Sequence, residues 1–381
     1  MSDDALSEPP AVAEAASTPA ATTPAAAADA VRADDAVVEA TGWTRRLGSL
    51  RGATSIWLTL FIIALAIGFG IASALVYGTP VYLKVDNLLS IGLNAAQIMV
   101  LAMGMTYLIG AGHLDLSVGQ SLILSSVLGA KVMVAVGGSS EQVAAGQYPN
   151  LGLAITLGVL TALAVGAAVG LLNGLIVTRL RLSSFIVTLG TSGIAYGVAL
   201  VLTSAANVPF IPDQIQQGFG GLKLLGFLPA PLALALVVAA IMWWFLRRTR
   251  FGLRTLAIGS SKEAAIRAGV NVERHTTRLF VLMGVLVGIA AVIDLARNAN
   301  TNVVGHQTDS LQAIAAVVLG GTSLFGGIAS IGGSILGSLV PVMLQNGLVI
   351  LQVQPFYQFV IVGIILILAV YFDQRRRERA I

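Results

Sequence analysis

The sequence predicts an all-α, polytopic membrane protein with about ten transmembrane helices and one short cytoplasmic helix. Three observations carry this. Of 381 residues 56% are hydrophobic and only 10% charged, where a soluble domain carries roughly 25% charged residues. The mean hydropathy is +0.87, and the apolar runs are continuous rather than alternating, which selects helices over a barrel. Third, the Lys and Arg residues are bunched between the runs instead of being spread along them.

Residues 1–42 are an Ala/Pro/acidic tail. Up to residue 40 it holds eight Asp and Glu against one Arg, a composition that cannot bury a core and reads as disordered. It has no basic start followed by an apolar core, so it does not read as a signal peptide. The membrane domain is expected over 43–373, opened by a basic approach from Trp43 to Arg51. Ten spans are expected at approximately 56–78, 88–109, 116–136, 152–178, 184–204, 229–246, 279–297, 311–325, 331–351 and 355–372. The eighth is short and ends in Gly320-Gly321-Thr322-Ser323-Leu324-Phe325-Gly326-Gly327, so it reads as bent or incomplete. A basic tail, 374–381, closes the chain.

Orientation follows from the positive-inside rule. With both termini cytoplasmic, eighteen of the 22 Lys and Arg residues fall inside; only Lys84, Lys131, Lys223 and Arg297 fall outside. An odd number of spans would strand a basic cluster outside. The net charge of +4 belongs to these membrane-flanking residues and is no nucleic-acid footprint. There is no Cys, which excludes disulfides and thiolate chemistry. A weak internal echo at an offset of 208 residues relates Gly112, Leu116, Gly119 and Ser126 to Gly320, Leu324, Gly327 and Ser334; chance explains it as readily as duplication.

The polar stretch 247–278 separates two apolar blocks and holds eight Lys and Arg residues. A short helix is expected within it as its only rigid element, over Ser261–Ala268. Ser260 is its expected N-cap, with Glu263 completing a capping box, and Gly269 its left-handed exit. An ordinary basic loop is the plain alternative. Ala264 and Ala265 are expected to keep one face of this helix small.

Three further blocks carry polar groups beside or within spans. In Gly112-His113-Leu114-Asp115-Leu116-Ser117-Val118-Gly119, Asp115, Ser117 and Gly119 are placed to cap the third span, or to serve a gate, since a carboxylate near membrane depth needs a partner. Thr188, Thr191 and Ser192 share one helical face, either as interhelical hydrogen-bonding groups or as a hydroxylated stripe for a neutral polyol. In the Gly320–Gly327 block, Thr322 and Ser323 are bracketed by glycine pairs, and Phe325 either stacks on a sugar face or packs. Thr188, Thr191, Thr322 and Ser323 are expected to face a central, charge-poor cavity.

Glu263-Ala264-Ala265 followed by Gly269 resembles the coupling loop of ABC importer permeases. Together with Leu114–Gly119, Asn173–Thr191, Arg250–Val270 and Leu311–Gly327, the chain from about Asn87 to Phe372 resembles the permease subunits of ribose/xylose/galactose-type sugar ABC importers. It departs from the family pattern at Gly112-His113-Leu114, at Ser183-Ser184, where a Pro pair is usual, and at Asp309, three residues ahead of Gln312. The resemblance implies a pore of two permeases, most simply a homodimer, in the bilayer. It also implies a separate ATPase subunit that holds ATP and Mg, and an extracytoplasmic binding protein that delivers the sugar. Ser261, Glu263, Ala264, Ala265, Arg267 and Gly269 would then contact the ATPase; Asp115, Ser117, Thr188, Thr191, Ser192, Thr322, Ser323 and Phe325 would belong to the substrate pathway. The polar segments 205–228 and 298–310 are candidates to dock the binding protein.

No Gly-x4-Gly-Lys-Ser/Thr loop occurs in the chain, so it is not expected to be an enzyme, to hydrolyse ATP or to carry a cofactor or metal. Two rival readings remain. An ion-coupled secondary transporter of a small polar solute would use Asp294 as its switch, although Arg297, three residues on, offers a same-helix pair. An intramembrane protease would use Gly190-Thr191-Ser192-Gly193, but needs a His within reach of Ser192. The three His, His113, His275 and His306, lie outside the expected spans.

Overall fold

Each long apolar run becomes one helix, because a backbone in lipid must satisfy its own N–H and C=O groups. The computed structural model describes residues 54–354 and scattered positions between 356 and 371; the expected tails, 1–42 and 374–381, lie outside the described residues. Among the described residues, eight helices are long and apolar enough to cross a membrane. In chain order these are α1 (Thr54–Tyr77), α2 (Val85–Gly110), α3 (Val118–Gly137), α5 (Leu151–Arg179), α6 (Ser184–Thr203), α7 (Ala230–Arg248), α10 (Val272–Asn298) and α12 (Ile331–Ile350). Four shorter α-helices lie between them: α4 (Ser140–Ala144), α8 (Arg250–Ser260), α9 (Lys262–Arg267) and α11 (Asp309–Leu319). The only strand pairing among the described residues is a two-residue hairpin, Lys223–Leu224 against Leu228–Pro229.

Two expectations are corrected, and the weak internal echo gains no support. The run expected to span at 311–325 is α11, of 11 residues. At 1.5 Å per residue it is about 16 Å long, half of a hydrocarbon core of roughly 30 Å. The stretch 247–278 is not a loop with one rigid element: α7, α8, α9 and α10 occupy most of it. The 208-residue echo does not hold its register either. The left-handed residues that close α2 and α11 are Gly112 and Gly321, one residue out of step, and the links that follow differ in length. The tenth expected span, 355–372, falls largely outside the described residues; those described there are helical.

The bundle is built around α2, α3 and α10. From Ala95 to Gly110 every residue of α2 is buried, and α10 is buried over most of its length, whereas α1 and α6 are largely exposed. Lipid offers no hydrophobic drive between helices, so close approach rests on small residues. The tightest case is α5 crossing α10. Each contributes two glycines four residues apart, Gly166 and Gly170 on α5, Gly284 and Gly288 on α10. A Cβ added to Gly166 would collide with the Gly284 carbonyl, and one on Gly284 with the Gly166 carbonyl. Gly170 is as tightly placed against the Phe280 carbonyl.

This crossing gives a direct test. Gly284→Val is expected to lower the thermal stability of the purified protein in detergent by about 1–3 kcal/mol or more, the usual cost of overpacking. Gly152→Val, on the same α5 but with open space around its Cβ, is expected to leave it unchanged. Equal melting temperatures for the two variants would remove the crossing from its central role.

Candidate functional site

The expected coupling helix is present as α9, with its start one residue later than expected. Ser260 is the last residue of α8; the N-cap is Ser261, whose extended backbone lets its Oγ accept the Ala264 N–H at 3.2 Å. Glu263 therefore sits at the second helical position and makes no capping box, although its charge still favours the helix start. The exit is as expected. Gly269 takes φ +80°, its N–H donates to Ile266 O at 2.9 Å, and the Val270 N–H donates to Ala265 O at 3.0 Å; these two bonds form a Schellman motif.

The two faces of α9 differ. Ala265 is 3% exposed and packs with Ile258 of α8, Val270 and Val272 of α10. It anchors the helix to the protein and is not available to a partner. Lys262, Glu263, Ala264, Ile266 and Arg267 are exposed. Helix α8 is pinned in turn: Thr255 Oγ1 lies 2.8 Å from His275 Nε2, and the Phe251 ring lies 4.7 Å from that imidazole.

Beside α9 a cleft of about 880 Å³ opens between the Ala111–His113 turn, the end of α5, the α8–α9 junction and the first turn of α10. Gly112 closes α2 at φ +80° by the same bonding pattern as Gly269. His113 Nε2 faces Thr276 Oγ1 at 3.5 Å. Burial, and secondarily the charge of Lys262, hold the His113 imidazole down at about 4, so it is neutral in ordinary conditions. At the mouth of this cleft the backbones meet closely: the Gly327 N–H donates to Gly110 O at 3.0 Å, and Gly259 lies so near both that it has no room for a Cβ.

The Gly112–Gly119 stretch is tied to three helices. Asp115 Oδ1 accepts from the Ser117 N–H at 2.8 Å and from its hydroxyl at 2.6 Å. The Ser117 oxygen accepts from Asn173 Nδ2 of α5 at 2.9 Å. The Leu116 N–H donates to Thr188 Oγ1 of α6 at 3.0 Å, and the Leu114 N–H to Ser184 Oγ at 3.2 Å. Asp115 thus orders its own turn rather than capping α3. The free amide of Gly119 is taken by Ser310 Oγ of α11 at 3.2 Å, whose hydroxyl donates to Leu116 O.

The eight expected pathway residues are not brought together. Asp115, Ser117 and Thr188 form one bonded, buried cluster. Thr191 and Ser192 lie one turn further along α6, half-buried. Thr322, Ser323 and Phe325 sit on the 320–330 link beside Gly110. Thr322 Oγ1 accepts from the Ser330 N–H at 3.1 Å, Ser323 Oγ accepts from the Phe325 N–H at 3.3 Å, and the Phe325 ring is 93% exposed. Each imidazole is engaged away from Ser192, so that serine has no base.

Sequence reasoning missed one cluster, although it had noted three of its members singly. Asp294 of α10 does not pair with Arg297. Its Oδ2 lies 3.2 Å from His306 Nε2, and its Oδ1 accepts from Asn298 Nδ2 at 2.8 Å. His306 Nδ1 lies 2.9 Å from Asp309 Oδ2, which also accepts from Gln97 Nε2 of α2 at 2.7 Å. With an imidazole nitrogen facing a carboxylate on each side, both can donate only as imidazolium. The signal in the sequence was a run from Asp294 to Asp309 with four ionisable side chains, Asp294, Arg297, His306 and Asp309, beside a long apolar helix.

The Asp115 turn is open to test. Asp115→Ala strands the buried Ser117 donors and is expected to lower stability in detergent by about 1–3 kcal/mol. Asp115→Asn keeps a carbonyl acceptor and is expected to lose less. Equal losses would show that the carboxylate oxygen does not hold the turn.

The family model described as branched-chain amino acid transport system / permease component matches residues 87–370. The D-allose transport system permease protein of Escherichia coli (strain K12) is 35% identical over 317 residues, 83% of this chain and 90% of that one. The ribose import permease protein of Bacillus subtilis (strain 168) is 35% identical over 298 residues, 78% and 87%. The L-arabinose ABC transporter permease protein of Azospirillum brasilense is 31% identical over 344 residues, 90% and 93%. No solved structure matches the chain.

Proposed function

This chain belongs to the branched-chain amino acid transport system / permease component family, and we propose that it is the membrane permease of an ABC importer for a monosaccharide. The observation that carries the reading is near full-length similarity to permeases named for D-allose, ribose and L-arabinose. ATP and Mg would sit on a separate ATPase subunit; this chain would supply the path and the contact that moves it. An extracytoplasmic binding protein would deliver the sugar to the face bearing 205–228 and 298–310, and a second copy of this chain would complete the pore.

The contact with the ATPase is assigned to α9. Its outward residues Lys262, Glu263, Ala264, Ile266 and Arg267 are free to enter a cleft, while Ser261, Ala265 and Gly269 fix the helix to α8 and α10. A push on α9 reaches the bundle through Gly259, which rests on the Gly327–Gly110 contact. Both termini and α9 would face the cytoplasm, with the lipid-facing chains of α1 and α6 in the membrane. The pathway roles of Asp115, Ser117, Thr188, Thr191, Ser192, Thr322, Ser323 and Phe325 follow from family resemblance. Their positions support a structural part for Asp115, Ser117 and Thr188, and a part at the inner mouth for Phe325.

One observation favours the ion-coupled alternative: buried ionisable clusters such as Asp294–His306–Asp309 mark proton relays in membrane transporters. Sugar uptake into ATP-free vesicles driven by an imposed pH gradient would establish that reading.

Purified permease, ATPase and loaded binding protein provide the test. Ile266→Asp, on the exposed face, is expected to leave the melting temperature unchanged and to reduce sugar-stimulated ATP hydrolysis at least tenfold, or about 1.4 kcal/mol. Ala265→Trp is expected to lower the melting temperature as well, because the site is closed. Lys262→Cys, in a chain with no other Cys, is expected to react with an impermeant thiol reagent from the cytoplasmic side only. Wild-type transport by Ile266→Asp, or labelling from outside, would overturn the assignment.

A further inference from the structure

A second cavity, of about 360 Å³, lies far from α9. Gln97, at its floor, stands 13 residues before Gly110, roughly 20 Å along α2. The walls come from α2, the end of α10, the 299–308 link, the start of α11 and the last turns of α12. Six side-chain amides line it: Asn94, Gln97, Asn302, Gln312, Gln345 and Asn346. Its charged lining is Arg297, His306 and Asp309. None of the residues expected in the pathway is among them.

The floor is fixed. Asp309 is held by Gln97 and His306, and His306 by Asp294 behind it. One wall is fixed too, where Asn87 and Asn346 exchange amide hydrogen bonds at 3.1 and 3.0 Å and tie α2 to α12. Gln345 and Asn302 are exposed, and half-buried Gln312 donates from its Nε2 to Thr308 Oγ1 at 3.1 Å, a rim contact a solute hydroxyl can exchange with, so the rim keeps groups able to turn toward a solute. An amide both donates and accepts, as a sugar hydroxyl does. The charges balance within the cavity and behind it: Arg297 and the imidazolium against Asp309 and Asp294. A volume near the lower end of small-ligand pockets, about 300–1,000 Å³, suits a solute of monosaccharide size. Many exchangeable hydrogen bonds of this kind let a solute enter and leave, where a single strong site would retain it.

We propose that this amide-lined cavity between α2, α11 and α12 is a binding subsite for a neutral polyhydroxylated solute on its way through the protein. The proposal rests on the sugar-permease reading above and places one station of the path, with Gln312, Gln345 and Asn302 as the groups that meet the sugar's hydroxyls.

The test uses the full complex of permease, ATPase and binding protein in proteoliposomes, with D-ribose, D-allose, L-arabinose and D-galactose as the panel. Gln312→Cys and Gln345→Cys place single thiols in a chain that has no others, and a small methanethiosulfonate reagent reads their access. An imported sugar at millimolar concentration is expected to slow labelling at both positions severalfold, and a panel sugar that is not imported is expected to leave it unchanged. The double variant Gln312→Leu, Gln345→Leu is expected to reduce uptake at saturating loaded binding protein at least tenfold, while Thr156→Leu, exposed on α5, does not. If the unsubstituted complex imports a sugar, but that sugar protects neither thiol and the double variant imports at the wild-type rate, the subsite is overturned and the sugar reading stands. Import of none of the four sugars by the unsubstituted complex overturns both.

Discussion

The close crossing of α5 and α10 is the contact on which the arrangement depends. Within a bilayer, apolar side chains gain nothing by leaving lipid for one another, so helices hold together where backbones can touch and pack densely. Gly166 and Gly170 meet Gly284 and Gly288 with no space for a methyl group. That contact sets where both ends of α10 stand. Its first turns carry His275 and Thr276, which hold α8 and face His113; its last turns carry Asp294, which holds His306. A small change in the crossing would therefore be felt at both ends of the bundle.

Two groups of buried polar side chains each join segments far apart in sequence. Asp115, Ser117, Asn173 and Thr188 bind the link before α3 to α5 and α6. Gln97, Asp294, His306 and Asp309 bind α11 to α2 and α10. Buried polar groups are costly alone and specific when paired. Their partners here fix irregular backbone inside the bundle, where unpaired N–H and C=O groups would be costly.

Much of the architecture was legible because lipid imposes a simple rule on long apolar runs. The first seven expected spans and the ninth each correspond to one helix, and the short helix α9 with its Gly269 exit was visible from spacing. What hid the rest was of two kinds. Residues such as Ser260 and Ser261 are chemically alike, so the cap could not be placed between them by composition. Partners such as Gln97 and Asp309, 212 residues apart, carry no local signal of each other. The paired glycines on α5 and α10 were present in the sequence, yet only the crossing shows why they recur at the same interval. The run at 311–325 looked like a span because Ala313 to Leu319 is apolar; its brevity follows from Asp309 at its start and the glycines at its end.

The short α11 also imposes an order on biogenesis. A segment of 11 residues that begins with a carboxylate is a poor candidate for independent insertion, since it neither reaches across the hydrocarbon nor matches it in polarity. Asp309 becomes acceptable only once Gln97 and His306 are beside it, and His306 only once Asp294 is. Helices α2 and α10 must accordingly be inserted and paired before the 299–330 region settles between them. The 299–330 region thus completes the wall of the amide-rich cavity that α2 and α10 begin.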